Sequence, residues 1–152
     1  METMERRIAV RGIVFHNNKL LLVRQKHKSI VSDEVRLTWC LPGGGLSENE
    51  SLIDGLGREM IEETGIKPVI GNLLFINQFN GHDRDNIELY FHIKNSKDYL
   101  NTDLSKTSHG QAELEEIDFK EPKKTNISPK FLMEVDIVDQ IKNDRPIKIF
   151  SF

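Results

Sequence analysis

Three glutamates of this chain, Glu59, Glu62 and Glu63, have a spacing that suits metal chemistry. They stand at positions i, i+3 and i+4, so in a helix their side chains would share a sector of about 100°. Carboxylate oxygens are the ligands that a hard cation such as Mg²⁺ prefers, and Mg²⁺ commonly links protein carboxylates to substrate phosphates. The spacing therefore favours a divalent-cation site on one face of a helix.

The helix that would carry these glutamates is predicted over Leu52–Thr64. Ser51 can serve as its N-cap, with Asp54 completing a capping-box pattern, and Gly65 falls where a left-handed residue ends a helix. An apolar stripe beside the glutamates would pack the helix on a sheet and hold the acids next to the buried side. This stripe consists of Leu52, Ile53, Leu56 and Met60.

A solvated acidic face is the commoner explanation of glutamates on a helix. It fits this segment less well, because Glu59 and Glu63 form a like-charge pair and Arg58 is the only cation of the predicted helix. Gly55 and Gly57 each cost about 1 kcal/mol of helix propensity relative to alanine. We therefore expect a counter-ion or close packing to offset the strain in this helix.

The segment around the glutamates resembles the signature of the Nudix hydrolases. The resemblance combines fixed spacings with charge and backbone requirements, so it is far more specific than a lone glycine motif. Leu41-Pro42-Gly43 extends it at the start. The matching residues are Gly44, Glu50, Arg58, Glu59, Met60, Glu62, Glu63, Gly65 and Ile66.

The resemblance implies that the three glutamates bind catalytic Mg²⁺, for which Mn²⁺ can substitute. The carbonyl of Gly43 would be a further ligand, and Arg58 and Glu50 would orient the carboxylates, since metal ligands need supporting contacts to be aimed. Glu59 or Glu63 would help to deprotonate the attacking water. Some family members use a carboxylate from a later loop instead, so the identity of the base stays open.

Four further residues are candidates for contacts with substrate or metal. Gly44 and Gly45 lack side chains, so their backbone could approach the substrate phosphates closely. Arg24 follows a predicted strand and could also reach phosphates, although solvated arginines are commoner there. Glu113, at the start of a predicted strand, is the candidate for the late carboxylate, against the commoner case of a solvated glutamate.

The remaining sequence predicts a single α/β domain over residues 1–152. The resemblance implies a Nudix-like α/β/α sandwich with a mixed β-sheet, the signature helix on one face and a C-terminal helix on the other. The N-terminal part predicts a hairpin over 7–15 and 19–23. Further strands are predicted over 69–79, 86–93 and 113–119, and the first of these three is expected to break near 71–72. A turn at 80–83, an irregular connection over 94–111 and a packing helix over 129–141 complete the prediction.

Composition limits the partners of the protein. With 152 residues, of which 38% are hydrophobic, the chain can bury one substantial core but not two. The net charge of -3 disfavours general binding of nucleic acid. No apolar run has the length of a membrane span or of a secretory signal, so we expect a cytoplasmic protein with no membrane partner. The sequence is compatible with a homodimer.

The predicted reaction is magnesium-dependent hydrolysis of a pyrophosphate bond in a nucleoside diphosphate linked to another group. Residues 81–84 contain neither the proline that resembles the ADP-ribose group of the family nor the tyrosine that resembles the dinucleoside polyphosphate group. The small size of the chain and its generic signature favour a nucleoside triphosphate, including an oxidised one, over ADP-ribose or a nucleotide sugar. A module that senses nucleotides or binds RNA ends without turnover is the alternative from another class.

Overall fold

The fold is built on two β-sheets in a computed structural model that describes residues 5–27, 29–81 and 84–151. The strands are β1 (Glu5–Ile13), β2 (Phe15–His16), β3 (Lys19–Gln25), β4 (Gly43–Gly45), β5 (Ile70–Asn80), β6 (Arg84–Ile93), β7 (Leu114–Lys120) and β8 (Lys148–Ser151). The larger sheet has the order β4-β1-β6-β5-β8 and the smaller sheet the order β2-β3-β7. The larger sheet is mixed, because β1–β6 and β5–β8 are parallel whereas β1–β4 and β5–β6 are antiparallel.

Helices cover both faces of the larger sheet. They are α1 (Asp33–Arg36), α2 (Leu52–Thr64), α3 (Gly110–Glu113) and α4 (Ile137–Lys142), with 3-10 helices at Ser96–Tyr99, Leu104–Lys106, Pro122–Lys124 and Lys130–Met133. Side chains alternate between the faces of a strand, so neighbouring residues of β6 enter different cores. Phe91 packs in the cluster that contains Met60 of α2, whereas Tyr90 packs in the cluster that contains Ile137 of α4. The predicted α/β/α layering with a mixed sheet is confirmed.

Helix α2 has the predicted boundaries. The Ser51 hydroxyl accepts a hydrogen bond from the backbone N–H of Asp54 at 3.0 Å, and Gly65 ends the helix with a φ of 75°. Leu56 and Met60 are fully buried against the sheet and Leu52 is half-buried, but the prediction that Ile53 belongs to the packed stripe is wrong, because its side chain is 49% exposed. Capping and the apolar stripe therefore place the acidic side of α2 beside the sheet edge, as the sequence predicts.

The two glycines of α2 differ in their surroundings, which allows a test of the helix. A Cβ added at Gly57 meets no atom within 4 Å, whereas a Cβ at Gly55 would overlap the Leu46 side chain. We expect Gly57→Ala to raise the free energy of unfolding by about 1 kcal/mol through helix propensity. Urea unfolding measures this, with Gly55→Ala as the matched control that should destabilise. A Gly57→Ala variant less stable than the wild type would contradict the assignment.

The predicted N-terminal hairpin is wrong for most of its length. Strand β1 pairs with β4 and β6, and only the two residues of β2 pair with β3, in the register Phe15↔Leu20. The chain passes from one sheet to the other at Val14, which is fully buried and whose carbonyl accepts a hydrogen bond from Leu21 at 2.9 Å. Burial of β1 side chains on both faces suits the interior of a sheet better than an isolated hairpin.

The single helix predicted over residues 129–141 is also wrong. A 3-10 helix at Lys130–Met133 is followed by a separate helix α4, because the Asp136 carboxylate accepts a hydrogen bond from the Asp139 N–H at 2.9 Å and caps a new helix. The packing role is retained, since Phe131, Leu132 and Ile137 are buried. The apolar spacing in this segment reports burial without requiring one continuous helix.

Two other connections differ from the prediction. Strand β5 is continuous through residues 71–72, where its pairing with β6 shifts register instead of ending. The connection over residues 94–111 contains short helices, and its Tyr99 is buried with the hydroxyl donating to the Ile66 carbonyl at 3.3 Å. In the turn at 80–83, His82 and Asp83 lie outside the described residues. Throughout the described ranges, no helix combines the length and apolar character needed to cross a membrane.

Candidate active site

The glycine strand β4 forms one edge of the larger sheet and lies against α2. It pairs with β1, with Gly44 opposite Val10 and Gly43 opposite Arg11. Gly43 has a φ of 138°, and a Cβ there would overlap the Val10 carbonyl oxygen. A Cβ at Gly44 would lie 2.7 Å from the Glu59 carboxyl group. Glycine is therefore required at these two positions, since only a bare backbone lets the helix carboxylate approach the strand.

Arg58 holds the acidic side chains of α2 in place. Its Nη1 donates to Glu59 at 3.0 Å and to Glu62 at 3.2 Å, while Nε and Nη2 donate to the two oxygens of Glu50 at 2.7 and 2.9 Å. Nη2 also donates to the Gly45 carbonyl at 3.2 Å. Hydrogen bonds from Arg58 and from the Ser47 N–H lower the pKa of Glu50 to about 2. One guanidinium thus links the helix carboxylates to the glycine strand.

Glu63 is the most buried of the three glutamates, with 3% of its surface exposed. Its Oε2 accepts a hydrogen bond from the Gly43 N–H at 3.2 Å. Burial raises the pKa of Glu63 to about 8, and the Arg11 charge and the Gly43 N–H oppose this shift. Burial also raises the pKa of Glu59, against the effect of Arg58. Glu63 thus contacts Gly43 and Glu59 lies against Gly44, and both carboxylates are poorly solvated.

A cavity of about 290 Å³ lies on the sheet face opposite α2 and reaches the glycine strand through Arg11. Arg11 Nε donates to Glu88 at 2.8 Å, and Nη1 donates to the carbonyls of Leu41 and Gly43 at 3.2 and 3.1 Å. Burial lowers the pKa of Arg11, but the combined effects of Glu88, Cys40 and Glu63 outweigh burial and leave the pKa above its usual value. Asn77 and Tyr90 add further polar groups to the lining.

A known protein family matches this chain. The sequence profile described as the NUDIX domain matches residues 5–135. The chain belongs to the Nudix family. The family's α/β/α sandwich is also seen in the MutT protein from Methanosarcina mazei, with a TM-score of 0.69 and 22% identity over 96% of this chain and all of that one. The E. coli ORF135 protein is similar, with a TM-score of 0.68 and 21% identity over 94% of this chain and 95% of that one.

Curated relatives of this Nudix chain match it over part of its length. An ADP-ribose pyrophosphatase of Methanocaldococcus jannaschii is 33% identical over 78 residues, which are 51% of this chain and 42% of that protein. An 8-oxo-dGTP diphosphatase of Buchnera aphidicola is 40% identical over 56 residues, which are 37% of this chain and 40% of that protein. The chain thus spans less than half the length of these curated relatives.

The acidic residues of the Nudix signature fit a divalent cation by donor type. Glu59, Glu62 and Glu63 together with the Gly43 carbonyl form an all-oxygen set, which suits Mg²⁺ or Mn²⁺. In the structure the Arg58 guanidinium lies between Glu59 and Glu62 and supplies the positive charge there. In residues 5–27, 29–81 and 84–151, no three acidic, histidine or cysteine side chains are close enough together to hold a metal ion. A bound cation would therefore require the Arg58 contacts to rearrange.

The other candidate residues lie at different distances from this Nudix site. Glu113 is the last residue of α3 and is exposed, and its charge contributes to the raised pKa of Glu63, so it lies within electrostatic range of that carboxylate. Arg24 pairs with Glu116 across β3 and β7 at 2.6 Å and lies over the Trp39 ring. These described contacts of Arg24 do not join it to α2, and its phosphate-binding role stays a prediction.

Sequence reasoning missed the buried ion pair of Arg11 and Glu88. The signal was present, because Arg11 follows the apolar residues Ile8–Val10 and Glu88 lies between Ile87 and Leu89. In the structure the two side chains are only 13% and 10% exposed. Charged residues are almost never that buried unless they are paired. The partner could not be identified from sequence, since the two residues are 77 positions apart.

Proposed function

We propose that this protein hydrolyses a pyrophosphate bond in a nucleoside diphosphate linked to another group, with Mg²⁺ as cofactor. One observation carries the proposal, namely the packing of Glu59 and Glu63 onto the glycine strand β4 beside a cavity of about 290 Å³. This arrangement supports a diphosphate lying along the bare backbone with the carboxylates on one side. The names of the curated relatives, a pyrophosphatase and a diphosphatase, support the same reaction class.

The residues of the chain have separable roles in this proposal. Glu59, Glu62 and Glu63 would hold the cation, with the Gly43 carbonyl as a further ligand and Glu113 as the candidate late carboxylate. When bound, the cation supplies Lewis acidity that offsets phosphate charge and acidifies the attacking water. The proton of that water passes to Glu59 or Glu63, the two carboxylates that contact β4.

The supporting residues of the site position these groups. Arg58 and Glu50 orient the helix carboxylates through the hydrogen bonds from the guanidinium, which also fixes the Gly45 carbonyl. Gly44 and Gly45 leave the backbone bare, so that phosphate oxygens can approach it. Metal ligands that are held in this way lose less freedom on binding the cation.

A nucleoside triphosphate, including an oxidised one, is the proposed substrate. The cavity offers Asn77, Glu88 and Tyr90 as polar groups beside the Phe79 ring, which suits a nucleobase that needs both stacking and hydrogen bonds. Its volume of about 290 Å³ is small for ligand cavities, which typically span about 300–1,000 Å³. A cavity of this volume is compatible with the base of one nucleoside.

A nucleotide panel tests the proposal. Purified protein is incubated with nucleoside triphosphates, 8-oxo-dGTP, ADP-ribose, nucleotide sugars and 5′-triphosphorylated RNA, and the release of phosphate, pyrophosphate and nucleotide is measured. We expect release from at least one triphosphate, complete loss of that release with EDTA, and recovery when Mg²⁺ or Mn²⁺ is added in excess. Nucleotide binding without release from any compound would favour a sensor, and release from RNA alone would favour an RNA-end enzyme.

A further inference from the structure

Arg7 lies over the glycine strand on the face opposite α2. It precedes Ala9 and Arg11 at alternate positions of β1, so the three side chains share one face of the strand. Its guanidinium Nε and Nη2 lie 3.2 and 3.5 Å from the position that a Cβ of Gly45 would occupy. The Arg7 guanidinium therefore occupies space that Gly45 leaves open.

The charges around Arg7 differ from those around its neighbours on β1. Arg6 pairs with Asp85 at 2.8 Å and Arg11 pairs with Glu88 at 2.8 Å. For Arg7, no residue of the described chain provides an ion pair or a hydrogen bond to the guanidinium. A half-buried cation without such a partner is stabilised when an anion binds to it.

Electrostatics around Arg7 point to the same need. Burial lowers the pKa of Arg7, and the positive charges of Arg11 and Arg84 lower it further, while the carboxylates of Glu88 and Glu59 partly oppose this effect. The influence of Glu59 places Arg7 within electrostatic range of the proposed metal ligands. An anion at Arg7 would thus lie close to those carboxylates and would relieve repulsion among the arginines.

An open cavity beside Arg7 provides room for the anion. It has a volume of about 420 Å³ and is lined by residues of β1, by the segment that begins at Gly45, and by Arg84. Ser47 contributes a small polar side chain to the same lining. Three arginines of the lining, Arg6, Arg7 and Arg84, outnumber its two carboxylates, Glu5 and Glu48. The cavity therefore has a net positive formal charge beside the bare backbone that the diphosphate is proposed to follow.

We propose that Arg7 binds a phosphate group of the substrate over Gly45, on the far side of β4 from the helix carboxylates. This inference rests on the proposed function, because it assigns one end of the same diphosphate. The planar guanidinium can donate two parallel hydrogen bonds to phosphate oxygens, which gives direction as well as charge. Arg7 is thus a specificity-determining residue that selects substrates with a phosphate at this place.

Binding of inorganic pyrophosphate without divalent cation tests the anion site directly. In an NMR titration of the whole chain in EDTA, pyrophosphate should shift the amide signals of Gly45 and Ser47. Arg7→Gln should weaken this binding about tenfold to a hundredfold, as expected for loss of charge-assisted hydrogen bonds. Arg7→Lys should give an intermediate affinity, because it keeps the charge and loses the paired geometry. Arg145→Gln is the matched control and should leave the affinity unchanged, because it removes one arginine charge from a residue that pairs with Asp139 and does not line this cavity.

Steady-state kinetics separate this inference from the proposed function. With the best substrate of the nucleotide panel, Arg7→Gln should raise KM by a similar factor and change kcat less. If the wild type binds pyrophosphate but shows no turnover, and Arg7→Gln binds it more weakly, the hydrolase is refuted and the anion site is supported. An active enzyme whose KM and pyrophosphate affinity are equal in wild type and Arg7→Gln would overturn the inference and leave the hydrolase intact. Thermal unfolding should confirm that both arginine variants are folded.

Discussion

Replacing Glu63 by glutamine is expected to lower kcat/KM by about 10²–10⁴-fold, the range found when a group that moves a proton or carries essential charge is removed. Glutamine keeps the shape of the side chain and can still accept the hydrogen bond from the Gly43 N–H, which is 3.2 Å long in the wild type. What it loses is the negative charge that would bind the cation. Glu62→Gln should have an effect of the same kind. The measurement is Mg²⁺-dependent product release with the best substrate of the nucleotide panel.

The matched control for these variants is Asp54→Asn, which also removes one carboxylate charge from α2. Asp54 is exposed near the start of the helix, and only its backbone N–H takes part in the Ser51 cap. We expect wild-type turnover in this control. The glutamate variants should remain folded, and Glu63→Gln should be at least as stable as the wild type because repulsion with Glu59 is relieved. Undiminished turnover in both Glu62→Gln and Glu63→Gln would eliminate the proposed metal site.

Local features of the sequence predicted α2 correctly because its ends depend on nearby residues. The Ser51 hydroxyl reaches the N–H three residues later, and Gly65 adopts the left-handed conformation that its lack of a Cβ allows. Neither contact depends on the rest of the fold. The signature residues could be assigned for the same reason, since they fall within one loop and one helix.

Nonlocal pairing explains the errors. The chain passes from the larger sheet to the smaller sheet at Val14 because β1 pairs with β4 and β6 instead of β3. Both of these partners are distant from β1 in sequence. The alternation of residues 7–15 indicates a strand but carries no information on its partners. The split of residues 129–141 depends on one capping aspartate, Asp136, which apolar periodicity alone does not detect.

The crowding of the glutamates has a physical explanation that the sequence only partly revealed. Like charges on α2 suggested that a cation must lie among them, and the structure places the guanidinium of Arg58 there, bonded to Glu59 and Glu62. Burial and the raised pKa of Glu63 reduce the charge further. Repulsion alone therefore does not require a metal ion, and the metal proposal stands on the donor set and on the glycine strand that it contacts.

Breaking the buried ion pair of Arg11 and Glu88 is expected to have the largest effect on stability. Arg11→Met leaves the Glu88 carboxylate, whose side chain is 10% exposed, without its partner. Loss of one member of a buried pair typically costs about 3–5 kcal/mol, which for a chain of this size lowers Tm by roughly 10 °C. Thermal and urea unfolding measure this effect. Arg145→Met removes a pair with Asp139 whose side chains are 53% and 31% exposed, and should cost less than about 1 kcal/mol.

The double variant Arg11→Met/Glu88→Met separates the structural role of Arg11 from its role at the site. Apolar replacement of both members of a buried pair is often neutral, so the double variant should recover most of the stability lost by Arg11→Met. It cannot restore the hydrogen bonds from Arg11 to the carbonyls of Leu41 and Gly43. The double variant also removes Glu88 from the proposed base cavity, which should raise KM, so kcat is compared at saturating substrate. Because Gly43 in turn donates to Glu63, we expect kcat to stay about 10–100-fold below wild type in the stable double variant, as for lost supporting contacts around metal ligands. Recovery of kcat together with stability would show that Arg11 serves the fold alone.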